Sequence, residues 1–292
     1  MIGQIICEYG QTLAVESEQE IYTCFLRKNL ESVVVGDFVA FDWDPQTQQG
    51  VISKRLPRKS LLARSDRYHP EKEMAANIDQ LIVLFSPSPS PNEFYLDQYL
   101  VAAEIFNIPA ILVLNKTDLF DSMPEEVKVI QSLVSLYEKI GYRIFPISAK
   151  TGEGIPALLT ELKTKVSFLL GSSGVGKSSL INKLLGENTT RTQAVSSATQ
   201  KGQHTTSRST LYHLASGGDI IDVPGIREFK LPASKQVDLI RGFTEFRPFL
   251  GQCRFRNCTH HPNEPGCVIL ERVESGLISQ QRLNHYYRMQ SA

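Results

Sequence analysis

Residues 166–185 read VSFLLGSSGVGKSSLINKLL. A run of strand character, VSFLL, leads into Gly171-Ser172-Ser173-Gly174-Val175-Gly176-Lys177-Ser178, and Leu180, Ile181, Leu184 and Leu185 then recur at helical spacing. This is G-x-x-x-x-G-K-S between a strand and a helix, the setting a phosphate-binding loop requires. Glycines at 171, 174 and 176 let backbone N–H groups approach phosphate oxygens. Lys177 supplies a point charge for β- and γ-phosphates, and Ser178 offers a hydroxyl to Mg²⁺. Ser179 continues the first turn of a helix whose positive end faces the anion. Residues 171–179 are therefore the expected phosphate ligands.

Working outward, 292 residues with 41% hydrophobic content predict two or three domains with real cores. Lys+Arg and Asp+Glu are balanced at 31 each, which excludes a bulk polycation and confines any nucleic-acid contact to local patches. No apolar run approaches the ~18 residues of a membrane span. The opening MIGQIICEYG lacks the features of a signal peptide, and the five cysteines are an odd number. Together these predict a cytoplasmic protein without a disulfide framework or membrane partner.

Residues 1–68 contain five short strand-like runs, IGQIICEY, TLAVES, IYTCFLR, DFVAFDW and GVISKR, separated by turn formers such as Gly10, Gly36-Asp37 and Asp44-Pro45. They predict a small β-barrel, an OB-fold. Tyr22, Phe25, Phe38, Phe41 and Trp43 are expected chiefly to fill it, with stacking on bases as the alternative. Lys54, Arg55, Arg58, Lys59, Arg64 and Arg67 crowd a segment whose one acid is Asp66; they read equally as a solvated linker or as a track for a phosphate backbone.

Residues 69–232 alternate strand and helix patterns, which predicts a mostly parallel α/β sheet with ligands at the C-terminal strand ends. Asn115-Lys116-Thr117-Asp118 follows the apolar run ILVL. A carboxylate at Asp118 can accept from guanine N1–H and its 2-amino group, whereas adenine leaves it unpaired. Lys116 can lie along the base, and Asn115 can tie this loop to the phosphate loop. Ser148-Ala149-Lys150 forms a second base-side loop whose Ala149 N–H can reach guanine O6. Asp222-Val-Pro-Gly225, after DII, supplies a carboxylate for the Mg²⁺ shell and a glycine N–H for the γ-phosphate. Thr205 and Thr206, in a polar stretch, each offer a hydroxyl to that Mg²⁺. STLYHLAS and DIIDVPG, joined across Gly217-Gly218, read as a hairpin. Residues 233–292 read as mostly helical, with Cys253-x4-Cys258-x-His260-His261-x5-Cys267. Three thiolates and one of the two histidines make a closed tetrahedral set for one structural Zn²⁺.

The motif order NKTD, SAK, phosphate loop, Thr-Thr, DVPG is that of a circularly permuted GTPase. Together with GSSGVGKSSLIN, the G-x-H-T-T segment at 202–206, DVPGIREF and the C-terminal cysteines, it resembles the ribosome small-subunit-dependent GTPase A family over almost the whole chain. The resemblance implies an OB-fold, a permuted GTPase domain and a zinc-binding domain, and selects His260 as the fourth ligand. It also implies a monomer that hydrolyses GTP to GDP during late assembly of the small ribosomal subunit, with 16S rRNA as partner. The other reading is a GTP-gated RNA-binding scaffold whose turnover is incidental. Position 226 after D-x-x-G is Ile, which cannot orient water as a glutamine does. The resemblance makes His204 the expected catalytic group. Gln203 departs from the basic residue expected before that histidine. The residues after Gly225 are expected to carry γ-phosphate loss into the C-terminal domain.

Overall fold

The computed structural model describes residues 1–65, 69–186, 208–224, 226, 229–236 and 239–291. The first strands are β1 (Ile2–Tyr9), β2 (Thr12–Ser17), β3 (Glu20–Leu26), β4 (Phe38–Asp44) and β5 (Gln49–Arg55). β1 pairs with β2 and β4, β2 with β3, β3 with β5 in parallel, and β5 with β4, which closes a five-stranded OB-like barrel. Alternation along the strands places Ile5, Val15, Cys24, Val39, Phe41 and Ile52 inside. Tyr22 packs against both Phe41 and Trp43, at ring-centroid distances of 5.3 and 4.9 Å. Phe38, in contrast, stays 42% exposed.

The basic stretch after the barrel is neither a solvated linker nor, over its first half, a free phosphate track. Residues from it form β6 (Leu61–Arg64), which pairs with β7 (Lys72–Ala76) in a separate two-stranded sheet. Arg58 forks onto Asp37, with Nε–Oδ1 and Nη2–Oδ2 both 2.7 Å, and its Nη1 donates to Glu73 at 2.8 Å. Arg55 pairs with Glu31 and Lys59 with Asp79. Sequence density marked these cations as a patch, but their carboxylate partners lie outside the stretch. Asp37 is fully buried, so Arg58 is the counter-charge that permits its burial.

The central sheet runs in the order β10 (Ile144–Pro146), β9 (Ala110–Leu114), β8 (Gln80–Phe85), β11 (Val166–Gly171), β13 (Asp219–Asp222), β12 (Thr210–His213). All neighbours are parallel except the hairpin β12–β13. Helices α1 (Glu93–Ile105), α2 (Pro124–Ile140), α3 (Ile155–Leu162) and α4 (Lys177–Leu185) connect the strands. β8, buried at every position, carries QLIVLF, the continuous apolar run of a strand covered on both faces. Edge strand β12 does not end the sheet. Cys7 of β1 pairs with Thr210, and Glu8 N–H donates to Ser209 O at 3.3 Å, so the barrel continues the central sheet. His213 braces the same junction, with Nε2 2.7 Å from Glu16 Oε2 and Nδ1 2.7 Å from Asp219 Oδ1.

The C-terminal unit holds the single turn α5 (Ala233–Gln236), two 3₁₀ segments (Leu239–Gly242 and Thr244–Phe249), α6 (Val268–Glu274) and α7 (Gln280–Gln290). It docks on α1 through Arg282, 1% exposed, which donates from Nη1 to Asp97 Oδ1 (2.5 Å) and from Nε to Glu245 Oε1 (2.6 Å). Tyr137 and His285 complete the shell of Asp97. A Cβ on Gly242 would fall 2.5 Å from Val101 Cγ1, so a glycine is what lets this segment touch α1. Among the described residues no helix is long and apolar enough to cross a membrane.

Candidate active site and metal centre

The sheet order places three loops at one edge, at the C-terminal ends of β10, β9 and β11, with β8 between the last two. Asn115, 1% exposed, joins all three. Its Nδ2 donates to Val175 O (2.9 Å) in the phosphate loop, and its Oδ1 accepts from Ala149 N–H (3.0 Å). Thus the Ala149 amide, expected to be free for guanine O6, is engaged within the protein. Gly176 lies in the left-handed region, φ +99°, and a Cβ there would come 2.4 Å from Asn115 Nδ2. Both its conformation and this approach demand glycine.

Asp118 faces the base side with its acceptors partly organised. Ser148 Oγ donates to Oδ1 at 2.7 Å, and Lys150 Nζ lies 3.9 Å from Oδ2. Ser148 Oγ in turn accepts from Thr151 N–H at 3.1 Å, which fixes the loop. Thr117 anchors its own turn by donating N–H to Ile147 O at 3.2 Å. Lys116, itself left-handed at φ +66°, spans two loops. Its Nζ donates to Gly174 O (2.7 Å) and to Ser88 O (2.6 Å). The segment after β8 is SPSPSPN, rich in helix and strand breakers. Its proline Pro89 lies against Gly174, where an added Cβ would sit 3.4 Å from Pro89 Cδ.

At the phosphate end Gly176 caps α4, which starts at Lys177. Lys177 folds onto the loop it serves, donating to Gly171 O (2.7 Å) and Ser172 O (2.9 Å). Burial pushes its pKa down, and the charge of Asp222 acts against that. Ser173, Ser178 and Ser179 are exposed on the rim. Asp222, 4% exposed, closes β13 with its Cα opposite Leu169 of β11, one strand from the phosphate loop. The Asp222 carboxylate and the Ser178 hydroxyl at the start of α4 are hard oxygen donors of the kind Mg²⁺ takes. His204, Thr205, Thr206 and Gly225 lie outside the described residues.

These loops match a known arrangement. The family model described as RsgA GTPase matches residues 55–232. The chain belongs to this GTPase family. The Small ribosomal subunit biogenesis GTPase RsgA of Chromohalobacter salexigens is 43% identical over 98% of this chain and 84% of its own length. Its counterpart in Hahella chejuensis is 42% identical over 99% of this chain and 84% of its own. Among solved structures, YjeQ from Thermotoga maritima superposes with a TM-score of 0.75 at 32% identity, covering 99% of this chain and 97% of that one. YloQ, described as a circularly permuted GTPase, gives 0.72 at 27% identity over 99% and 93%. Like these relatives, this RsgA-family GTPase is permuted: the guanine-side loops precede the phosphate loop in the chain.

In the same RsgA-family chain the C-terminal cysteines converge. Ligand atoms of Cys253, Cys258, His260 and Cys267 all lie within 4.8 Å of one another. His260 Nδ1 sits 3.6, 3.6 and 3.4 Å from the sulfurs of Cys253, Cys258 and Cys267. A tetrahedral ion bonded to S at about 2.3 Å and N at about 2.0 Å separates those atoms by about 3.5 Å, so the set fits a metal of that kind. His261 points elsewhere and stacks on Tyr287, centroids 5.2 Å apart and 8° from parallel. Tyr287 OH donates to the backbone oxygen of His260 at 2.5 Å, fixing the ligand loop to α7.

The segment after Asp222 has more than one contact. Ile226, Phe229 and Leu231 are buried. In addition, Lys230 O accepts from Ser65 N–H at 2.8 Å, which ties this segment to the end of β6 as well. Sequence reasoning missed this tie because a single bridge leaves no periodic signal.

Proposed function

We propose that this GTPase acts as a late-stage assembly factor of the small ribosomal subunit, in which GTP hydrolysis stimulated by the subunit drives its release. The chain is read as a barrel unit (1–68), a permuted GTPase domain (69–232) and a zinc-binding unit (233–292), working as a cytoplasmic monomer. The observation that carries the nucleotide assignment is Asn115, whose one side chain holds the base-side and phosphate loops together.

In this reading Asp118 selects guanine and Ser148 keeps its carboxylate aimed. Lys116 shields the base edge, while Thr117, Ala149 and Lys150 complete the base-side wall. Residues 171–179 bind the phosphates. Lys177 leaves the Gly171 and Ser172 carbonyls for the β- and γ-oxygens, a low-cost exchange because its charge is poorly solvated where it now lies. Ser178 and Asp222, with Thr205 or Thr206, would hold Mg²⁺, which supplies charge neutralisation as the γ-phosphoryl leaves. Ile226 offers no polar atom to the attacking water. His204 takes that role, donating or accepting near neutral pH. Gly225 N–H senses the γ-phosphate. Zn²⁺ on Cys253, Cys258, His260 and Cys267 is structural, because four protein ligands leave no open position.

The test is the GTP hydrolysis rate with added small subunits, large subunits or free rRNA. Strong stimulation by small subunits alone is expected, and its absence overturns the proposal. His204→Ala should keep GTP affinity and lose the stimulation; wild-type stimulation in that variant removes histidine from the mechanism.

A further inference from the structure

A cleft of about 600 Å³ opens where three parts of the molecule meet. Its walls include Glu8 and Tyr9 from β1, Arg64 from β6, Lys72 and Glu73 from β7, Arg208 ahead of β12, and Val223-Pro224 just beyond Asp222. The cations in it are placed at a cost. Arg64 and Lys72 are direct cross-strand partners in the two-stranded sheet, and like charges in that position repel. Arg64 Nε is buried and has no hydrogen-bond partner among the described residues. A desolvated guanidinium N–H without an acceptor is unfavourable, so the site calls for an anion. Across the cleft the Arg208 guanidinium lies over the Tyr9 ring, 4.8 Å from its centroid, which holds the fork in place.

Among the described residues, the acids lining this cleft are engaged elsewhere. Glu73 is taken by Arg58 (2.8 Å) and by the Ser32 hydroxyl (2.7 Å). Glu8 accepts from Val35 N–H at 3.3 Å, so one of its oxygens is already engaged. Planar guanidinium forks match phosphate oxygens two at a time.

We propose that this cleft binds a phosphodiester of an RNA backbone, clamped between Arg64 and Arg208. The occupant is taken as RNA because the proposed function supplies one, and the inference rests on that reading. An RNA seated there touches the Val223-Pro224 wall directly. It also lies beside Ser65, whose N–H holds Lys230 of the segment leaving the γ-phosphate motif. Small-subunit contact thus reaches the nucleotide through the barrel side of the molecule as well as through the C-terminal unit.

The experiment measures binding of the full-length protein, loaded with a non-hydrolysable GTP analogue, to small subunits between about 50 and 200 mM salt. Arg64→Gln and Arg208→Gln are each expected to weaken binding and to flatten the slope of log K against log salt by about one. Lys128→Gln, on exposed α2 surface, should leave the slope unchanged. Arg208 is exposed, so its variant is a fair test even where Arg64→Gln fails to fold. Wild-type slopes in the arginine variants overturn the cleft while leaving the function intact, as does an equal loss in the Lys128 control. A wild-type protein that does not bind small subunits overturns both.

Discussion

The barrel meets the central sheet through Cys7 opposite Thr210, the Glu8–Ser209 backbone bond and a half-exposed histidine, whereas the C-terminal unit meets α1 through an arginine that is 1% exposed. Both junctions use ion pairs, and their surroundings make them unlike. Around Arg282 water is excluded: Phe243 lies 4.6 Å below the guanidinium, and Asp97 and Glu245 saturate it. Burial acts to lower its pKa, and those two carboxylates more than reverse that. Around His213 solvent screens both carboxylates. The C-terminal junction is therefore strong and unforgiving, and the barrel junction is weak and responsive to pH.

Metal removal sharpens the contrast most. Structural zinc sites contribute on the order of 10 kcal/mol in isolated modules. Chelation should therefore release amide-exchange protection across 253–267 while leaving the barrel strands protected. Equal protection with and without chelator would show that the Cys253–Cys267 loop needs no ion. Next, Arg282→Ala leaves Asp97 of α1 buried without its main counter-charge, and a loss of about 3–5 kcal/mol in denaturant unfolding is expected. A loss below about 1 kcal/mol would mean that water reaches the cluster. Gly242→Ala forces the new methyl into Val101 and should cost about 1–3 kcal/mol. Its thermal midpoint against wild type measures this.

The smallest effect belongs to His213. Its hydrogen bond to Asp219 raises its folded pKa, burial opposes this, and Glu16 adds to it. A raised folded pKa gives stability that is full below the unfolded value of about 6.5 and fades as pH rises through the folded pKa. The thermal midpoint of wild type should therefore fall relative to His213→Gln across that window. Parallel curves would show that the strut does not couple barrel and sheet.

Much of this was legible beforehand. IGQIICEY and TLAVES are β1 and β2 as read, because alternation reports which side chains turn inward. The phosphate loop, NKTD and SAK were recognisable because each follows an apolar strand, and strand ends in a parallel sheet share one edge. Of the basic residues at 54–59, Arg58 fits neither expectation, for a physical reason. Charge density along the chain says nothing of carboxylates that arrive from elsewhere, and Arg58 meets Asp37 and Glu73 only after folding. The Ala149 amide was assigned outward because its partner, Asn115, lies 34 residues away.

The amino-acid sequence alone determined the kinds of chemistry present: a phosphate loop, an NKTD motif with its carboxylate, a thiolate-rich metal set and their permuted order. These are carried by local spacing, which survives without any fold. Tertiary structure decided which groups share an environment. It put Asn115 between three loops, Arg282 in a dry interface, and β12 against β1 so that barrel and sheet are one surface. Pairing across some two hundred residues depends on burial and geometry, and no short window of sequence contains either.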